Sequence, residues 1–297
     1  GGAGGASLGP SSSVQARGPM TPFASSRARP APSLGDHLRA LRARRRLSQL
    51  ACALEAGISQ RHLSFVESGR AQPSREVLLR IAERMEAPLR ERNALLLAAG
   101  YAPVYPERGL DAPEMAAAKA AVERILKGHE PFPALAVDRE WTLVAANAAV
   151  GWLLEGVADP ALLAPPVNVL RLSLHPGGLA PRILNLAEWR GHVLDRLRVQ
   201  AALTGEAGLG ELVDELAGYP VPDAPRRPPG PDPLAGVAIP LTIRMGREPG
   251  GETLRFLSTT TVFGTPTEVT LSELALECFF PADDATGEAL RRRAAAG

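Results

Sequence analysis

Between Gln49 and Glu67 the side chains that can make directional polar contacts are spaced as one face of a helix. Gln60, Arg61 and Ser64 stand at i, i+1 and i+4 and project together, while Ile58, Leu63 and Val66 point back toward a core. The chemistry open to such a face is the reading of base edges. A guanidinium donates two hydrogen bonds to O6 and N7 of guanine, and a carboxamide pairs in the same two-point way with adenine. Two small residues make the face usable. Ala53 stands where a second helix must cross closely, and Gly57, four residues on, occupies a turn whose positive φ is cheap only for glycine. This is the helix-turn-helix arrangement, in which the second helix enters the major groove. Read instead as solvated positions on a helical bundle, the segment needs Ala53, Gly57 and a local charge excess to coincide by accident.

The elements that must hold this face are five short helices between Leu34 and about Ala99. Leu34, Leu38 and Leu41 recur at the spacing of one buried helix face. Ser48 and Ser59 sit where N-caps belong, ahead of Gln49–Ala56 and of a helix running to about Ser68, where Gly69 stops it. Pro73-Ser74 opens a fourth helix carrying Leu78, Ile81, Ala82 and Met85; Pro88 ends it, and Leu89–Ala99 closes the set.

In register, Leu47-Ser48-Gln49, Ala53, Gly57, Ser59-Gln60-Arg61, Leu63 and Glu67-Ser68-Gly69-Arg70 resemble the lambda-repressor-like (XRE-type) family of transcription regulators. The resemblance implies a DNA-contacting set of Gln49, Ser59, Gln60, Arg61, Ser64 and Arg70. Gln49 would hold a phosphate at the start of the second helix, Gln60, Arg61 and Ser64 would face bases, and Arg70 would touch backbone. Arg42 can be a phosphate contact, but the resemblance implies instead a buried ion pair with Glu67, the reading favoured here. Arg44, Arg45 and Arg46 read as a solvated or phosphate-facing patch, His62 as peripheral, and Cys52 as an inert core thiol.

Charge is distributed unevenly along the 297 residues. Residues 34–100 hold twelve Arg against seven acids, residues 1–33 add Arg17, Arg27 and Arg29 with no acid, and the total is only +1, so residues 101–297 carry −7. A basic front and an acidic rear point to a polyanion partner for the front alone. Residues 1–33 are Gly, Ala, Ser, Pro and Arg with little to bury and read as a disordered tail. Gly5-Ala6-Ser7-Leu8-Gly9 matches the serine-hydrolase elbow pattern formally, but that motif needs a strand before it and a helix after it, which a disordered tail would not supply. Hydrophobic content of 45% excludes a wholly disordered chain, and no apolar run is long enough to span a membrane. Two distant cysteines, Cys52 and Cys278, and the lack of a secretory leader point to a reducing cytoplasm, with the DNA reading placing the protein at the nucleoid.

Residues 101–113 read as a linker, and a domain of different character follows over 114–285. A helix is expected over Glu114–Lys127, then a β-hairpin from Pro133–Val137 and Trp141–Ala146, helices near 148–155, 167–174, 187–204 and 209–217, and a second hairpin from Val237–Met245 and Thr253–Phe263. Residues 219–234 contain seven prolines and are irregular, Glu273–Phe280 is open between strand and helix, and 286–297 is a C-terminal tail. Two hairpins enclosing helices give an α+β domain with an antiparallel sheet, behind an all-α five-helix domain.

The stretch Trp141–Asn147, a strand running into a helix, looks PAS-like. With Pro133–Asp138, Asn168–Leu172, Glu188-Trp189-Arg190, Phe263–Pro266 and Phe279–Asp283 it resembles the ligand-binding domain of MmyB-like transcription regulators. That resemblance implies a fatty-acid-like molecule in a PAS-like cavity. From the residues themselves, Trp141, Trp152 and Trp189 can frame an apolar pocket or fill an ordinary core, and Arg171, His175 and Arg182 can meet a carboxylate head group or serve as surface charges. No metal-ligand spacing, phosphate loop or catalytic constellation is visible, so no metal, cofactor or enzymatic activity is expected.

The expected protein is a homodimeric, sequence-specific DNA-binding regulator. Its partners are a double-stranded operator and a small lipophilic ligand, with no membrane. A protein-interaction scaffold or an uncharacterised enzyme tethered to DNA is the alternative for the rear domain. Arg61→Ala is expected to cost about 1–3 kcal/mol at the operator and to relax base preference at one position. Equal loss on specific and random DNA, measured by competition titration, would make Arg61 a phosphate ligand instead.

Overall fold

The structure, a computed structural model, describes residues 32–221, 238–246 and 250–296. The amino-terminal segment, most of the proline-rich stretch and part of the 247–252 turn lie outside the described residues, and with them the disordered-tail expectation for 1–31.

The front is all helical: α1 (Leu34–Arg44), α2 (Gln49–Glu55), α3 (Gln60–Glu67), α4 (Arg75–Arg84) and α5 (Leu89–Ala98). The first four begin on a serine, Ser33, Ser48, Ser59 and Ser74, whose side chain accepts a backbone N–H of the first turn. The inner faces of the helices, α5 included, meet around Leu38, Leu41, Leu63, Leu78, Ile81 and Leu96, all buried. Gly57 has φ +64° and a Cβ there would meet nothing within 4 Å, so the turn conformation and not crowding demands glycine. The tightest approach lies elsewhere. A Cβ on Gly35 of α1 would stand 2.0 Å from the carbonyl oxygen of Glu67 at the end of α3.

Behind these come α6 (Ala116–Gly128), β1 (Ala134–Val137), β2 (Leu143–Ala146), α7 (Ala148–Leu154), α8 (Val169–Leu174), α9 (Leu186–Thr204), α10 (Ala207–Gly218), β3 (Leu241–Arg244), β4 (Thr253–Val262), α11 (Val269–Ser272), β5 (Ala275–Pro281) and α12 (Asp284–Ala296). The strands form one sheet in the order β2-β1-β5-β4-β3 with antiparallel neighbours, the α+β layout expected. The undecided run at 273–280 is a strand, and an interior one, paired on both sides by β1 and β4.

One expectation is overturned. Residues 286–297 were to be a tail, yet 284–296 is helical and buries Thr286, Ala289 and Leu290. Asp283 accepts the Thr286 N–H at 2.8 Å, and the Thr286 hydroxyl accepts Arg255 N–H at 3.0 Å, fixing the helix start to β4. The segment is short of large apolar residues, so its periodicity gives little signal.

Glycine to alanine on a helix normally stabilises by about 1 kcal/mol. Gly35→Ala should do the opposite, destabilising by about 1–3 kcal/mol through the clash with the Glu67 carbonyl. Thermal denaturation checks the sign, and a raised Tm would contradict the packing described.

Candidate functional site: a recognition helix and an apolar cavity

The outward face of α3 is held by its two neighbours. Ser59 caps the helix by accepting His62 N–H at 3.1 Å, and Gln60 and Arg61 are exposed while Ser64 is half-buried. The Arg61 guanidinium carbon lies 5.3 Å from the Phe65 ring centroid, a contact that limits where the side chain reaches. Arg70 is exposed past the helix end. Gln49 is half-buried and donates to Glu67 Oε2 at 2.7 Å, which leaves one amide hydrogen for an outside acceptor.

Glu67 anchors this arrangement. Arg42 donates to its two carboxylate oxygens from Nε at 2.9 Å and Nη2 at 3.2 Å, and Arg39 donates to its carbonyl. Burial alone would raise the Glu67 carboxyl, yet the hydrogen bonds from Arg42 and Gln49 and the Arg42 charge outweigh it and hold the pKa below the ordinary 4.5. The arginine patch at 44–46 is not uniformly open. Arg44 pairs with Glu91, Arg45 donates to the Met85 and Glu86 carbonyls at 2.8 and 2.7 Å, and Arg46 is exposed. Burial pushes the Cys52 thiol up, as suits an unreactive core position.

The second site lies between the sheet and α7–α9. Alternation along the strands, period two, assigns the faces. On β5, Leu276 and Cys278 pack toward α6, while Glu277 and Phe279 face the other way into a cavity of about 100 Å³. On β4, Leu254 and Phe256 belong to the core on that side and Ser258 lines the cavity. Helix α9 supplies Trp189, His192, Val193 and Arg196, at i, i+3, i+4 and i+7. Of the nineteen lining residues, only Ser173, His192, Arg196, Ser258 and Glu277 are polar.

Of the six ligand-facing candidates in the sequence, Trp141 and Trp189 line this cavity. The other four stand outside the lining. Trp152 is partly buried on α7 against the same core. Arg171 is exposed and makes a two-point pair with Glu215, Nε–Oε1 2.8 Å and Nη2–Oε2 2.7 Å. His175 turns its Nδ1 onto Gly177 N–H at 3.0 Å and its ring edge onto Tyr219. Arg182 is buried behind the wall and donates to the Leu153 carbonyl. The polar residues that do line the cavity were not singled out in the sequence. The helical stripe Trp189-His192-Val193-Arg196 carries a readable signal, whereas Glu277 becomes visible only once β5 is known to be a strand.

A line of polar contacts leads from the cavity to the front helices. Trp141 has φ +64°, a conformation that strains a bulky residue, and its indole donates to Gln200 at 2.9 Å. Gln200 donates to the Arg139 carbonyl at 2.8 Å, the Arg139 Nε lies 3.7 Å from Glu273, and Glu273 holds Arg90 of α5 by bonds of 2.8 and 2.9 Å. A polar cleft of about 480 Å³ opens at this junction between Arg90, Asp111, Arg139 and Glu273. Among the described residues no three His, Cys, Asp or Glu side chains converge as a metal site, and no helix is long and apolar enough to cross a membrane.

A capped recognition helix joined to a sheet domain with an apolar cavity defines a class: a helix-turn-helix transcription regulator with a ligand-binding domain. The model of a helix-turn-helix domain matches residues 33–95. That of the MmyB-like transcription regulator ligand binding domain matches residues 118–292, more than half of the chain. The chain belongs to the MmyB-like transcription regulator family. No curated protein matches it. Among solved structures it is similar to that of an RNA-binding light-oxygen-voltage receptor, at 14% identity and a TM-score of 0.23, over 89% of this chain and 64% of that one. The chain therefore spans less than two thirds of that receptor, and a likeness at that TM-score carries no argument.

A carboxylate whose folded pKa is depressed contributes stability that is complete above its unfolded value, near 4.5 for Glu67, and lost as the pH falls through the lower folded value. Glu67→Gln should therefore flatten the acid side of the stability–pH curve, measured by thermal denaturation from about pH 6 to about pH 3. An acid limb as steep in the variant as in the parent would contradict the Arg42–Glu67 assignment.

Proposed function

We propose that this chain is a sequence-specific DNA-binding transcription regulator whose rear domain senses a small lipophilic, fatty-acid-like molecule. The observation that carries the reading is the sharing of Trp141 between two structures. Its ring lines the apolar cavity, and its indole N–H begins the polar line that ends on α5. A ligand that shifts Trp141 bears on Gln200 and Arg139, and through Glu273 on the helix set that carries α3.

In this reading residues 34–100 bind DNA through Gln49, Ser59, Gln60, Arg61, Ser64 and Arg70, residues 101–113 connect, and the sensor begins at 114. With α12 packed upon it, the sensor runs past residue 285. The family match to 292 supports including that helix. Trp141 and Trp189 are the ligand contacts this geometry favours among the six candidates. Trp152 and Arg182 would act from behind the wall, and Arg171 and His175 from its rim. The protein would be a cytoplasmic, nucleoid-associated homodimer, because one recognition helix binds weakly and two half-sites about 10–10.5 base pairs apart add their contacts. We take it to be a sensor and not a catalyst, since its cavity pairs its two charged side chains with each other.

The test is mass spectrometry of the purified protein, native and then with small molecules released by denaturant. The expected result is an apolar compound at up to about one per chain. Protein that is consistently empty, and that takes up no acyl-chain compound when offered one, would overturn the sensing reading and favour an interaction scaffold.

A further inference from the structure

The polar groups of the cavity are not equally available, and their partners decide what can enter. Arg196 and Glu277 meet in a two-point ion pair, Nη1–Oε2 3.2 Å and Nη2–Oε1 2.5 Å. Thr260 closes the pair: its hydroxyl lies 2.6 Å from Arg196 Nη2 and 2.8 Å from Glu277 Oε1. The guanidinium also stacks on Trp141, 4.6 Å from the ring centroid. These are the one Arg or Lys and the one Asp or Glu in the lining, so the cavity carries no net charge from them.

The neutral groups are more open. Ser173 accepts from the Trp189 indole at 3.1 Å and keeps its own hydroxyl proton to donate. The Ser258 hydroxyl and the His192 ring nitrogens make no side-chain hydrogen bond among the described residues, although both residues line the cavity.

A carboxylate entering this space finds the Arg196 charge already balanced: Nε–H and one Nη1 hydrogen are left to donate, but its own negative charge goes uncompensated unless it takes the place of Glu277. That residue is 5% exposed on an interior strand, and without Arg196 it would keep Thr260 alone. Stranding a buried charge costs more than the new pair returns. A neutral hydrogen-bonding group meets Ser173, Ser258 or His192 with no such exchange.

We infer that the cavity selects an uncharged amphiphile, an acyl or alkyl chain ending in an ester, amide, lactone, ketone or alcohol, over the same chain ending in a free carboxylate. This rests on the sensing reading above and narrows it, from fatty-acid-like molecules in general to their uncharged derivatives and against the free acid.

The experiment titrates the full chain, stripped of co-purified small molecules, with methyl octanoate, 1-octanol and octanoate at neutral to mildly alkaline pH. Tryptophan fluorescence reports binding, because Trp141 and Trp189 line the cavity. The expected result is that the two neutral compounds bind at least about tenfold more tightly than octanoate. Glu277→Gln keeps the shape and releases the Arg196 charge, so octanoate should gain about tenfold or more while the ester changes little. The paired change Arg196→Met with Glu277→Leu removes both charges and should keep the neutral preference. The inference is overturned if the parent protein binds octanoate as tightly as the ester, or if folded Glu277→Gln leaves their ratio unchanged. Binding of none of the three by the parent would sink the sensing reading itself, a different outcome from binding without discrimination.

Discussion

A carboxylate taken out of water must be neutralised where it stands, and Glu277 imposes that constraint on the rear of this protein. It lies on β5, the central strand of the sheet, on the face opposite Leu276 and Cys278. Arg196 answers it from α9, which ties that helix across the sheet at a fixed distance. Because the guanidinium is planar and already spoken for, its free face stacks on Trp141, whose backbone is held in a conformation a bulky residue adopts only under restraint. One buried charge thus fixes a helix, an aromatic wall and the polarity of the cavity between them.

From Trp141 the same contacts run outward. Gln200 accepts a hydrogen bond from the indole N–H and donates one to the Arg139 carbonyl, and Glu273 stands between Arg139 and Arg90. The connector is drawn in as well: Val269 N–H donates to the Pro106 carbonyl, Glu268 accepts Arg108 N–H, and Asn93 of α5 accepts Val104 and Tyr105 N–H. Arg44 at the end of α1 also lies against Gly205 at the end of α9. Packed and hydrogen-bonded contacts thus join the cavity wall to the helices that present α3, the contacts through which a bound ligand would bear on them in the proposed reading.

The front was legible in the sequence because its rules are local. A serine one residue before each of four helices, a glycine at the positive-φ turn and a leucine stripe at helical spacing each announce themselves within a few residues. Gly35 was not legible, since its constraint is the Glu67 carbonyl on another helix. Nor were the separate duties of Arg44 and Arg45, which depend on Glu91 and on the end of α4. In the rear, the hairpins and long helices followed from pattern, but the short run at 273–280 fits strand and helix equally until β1 and β4 flank it. The face of Glu277 hangs on that choice, and with it the chemistry of the cavity. In the sequence Arg171, His175 and Arg182 stand out as groups able to meet a carboxylate head group. Their partners, Glu215, Gly177 and the Leu153 carbonyl, are visible only in the fold.

Operator affinity measures the proposed coupling between the filled cavity and the recognition helix. Fluorescence anisotropy on a fragment selected from genomic DNA, with the cavity shown by tryptophan fluorescence to be empty or saturated, compares the two states directly. The Kd for that fragment should change clearly between the two states, with little change for scrambled DNA of the same length. An identical Kd with the cavity empty and full, on a fragment bound specifically, would contradict that coupling.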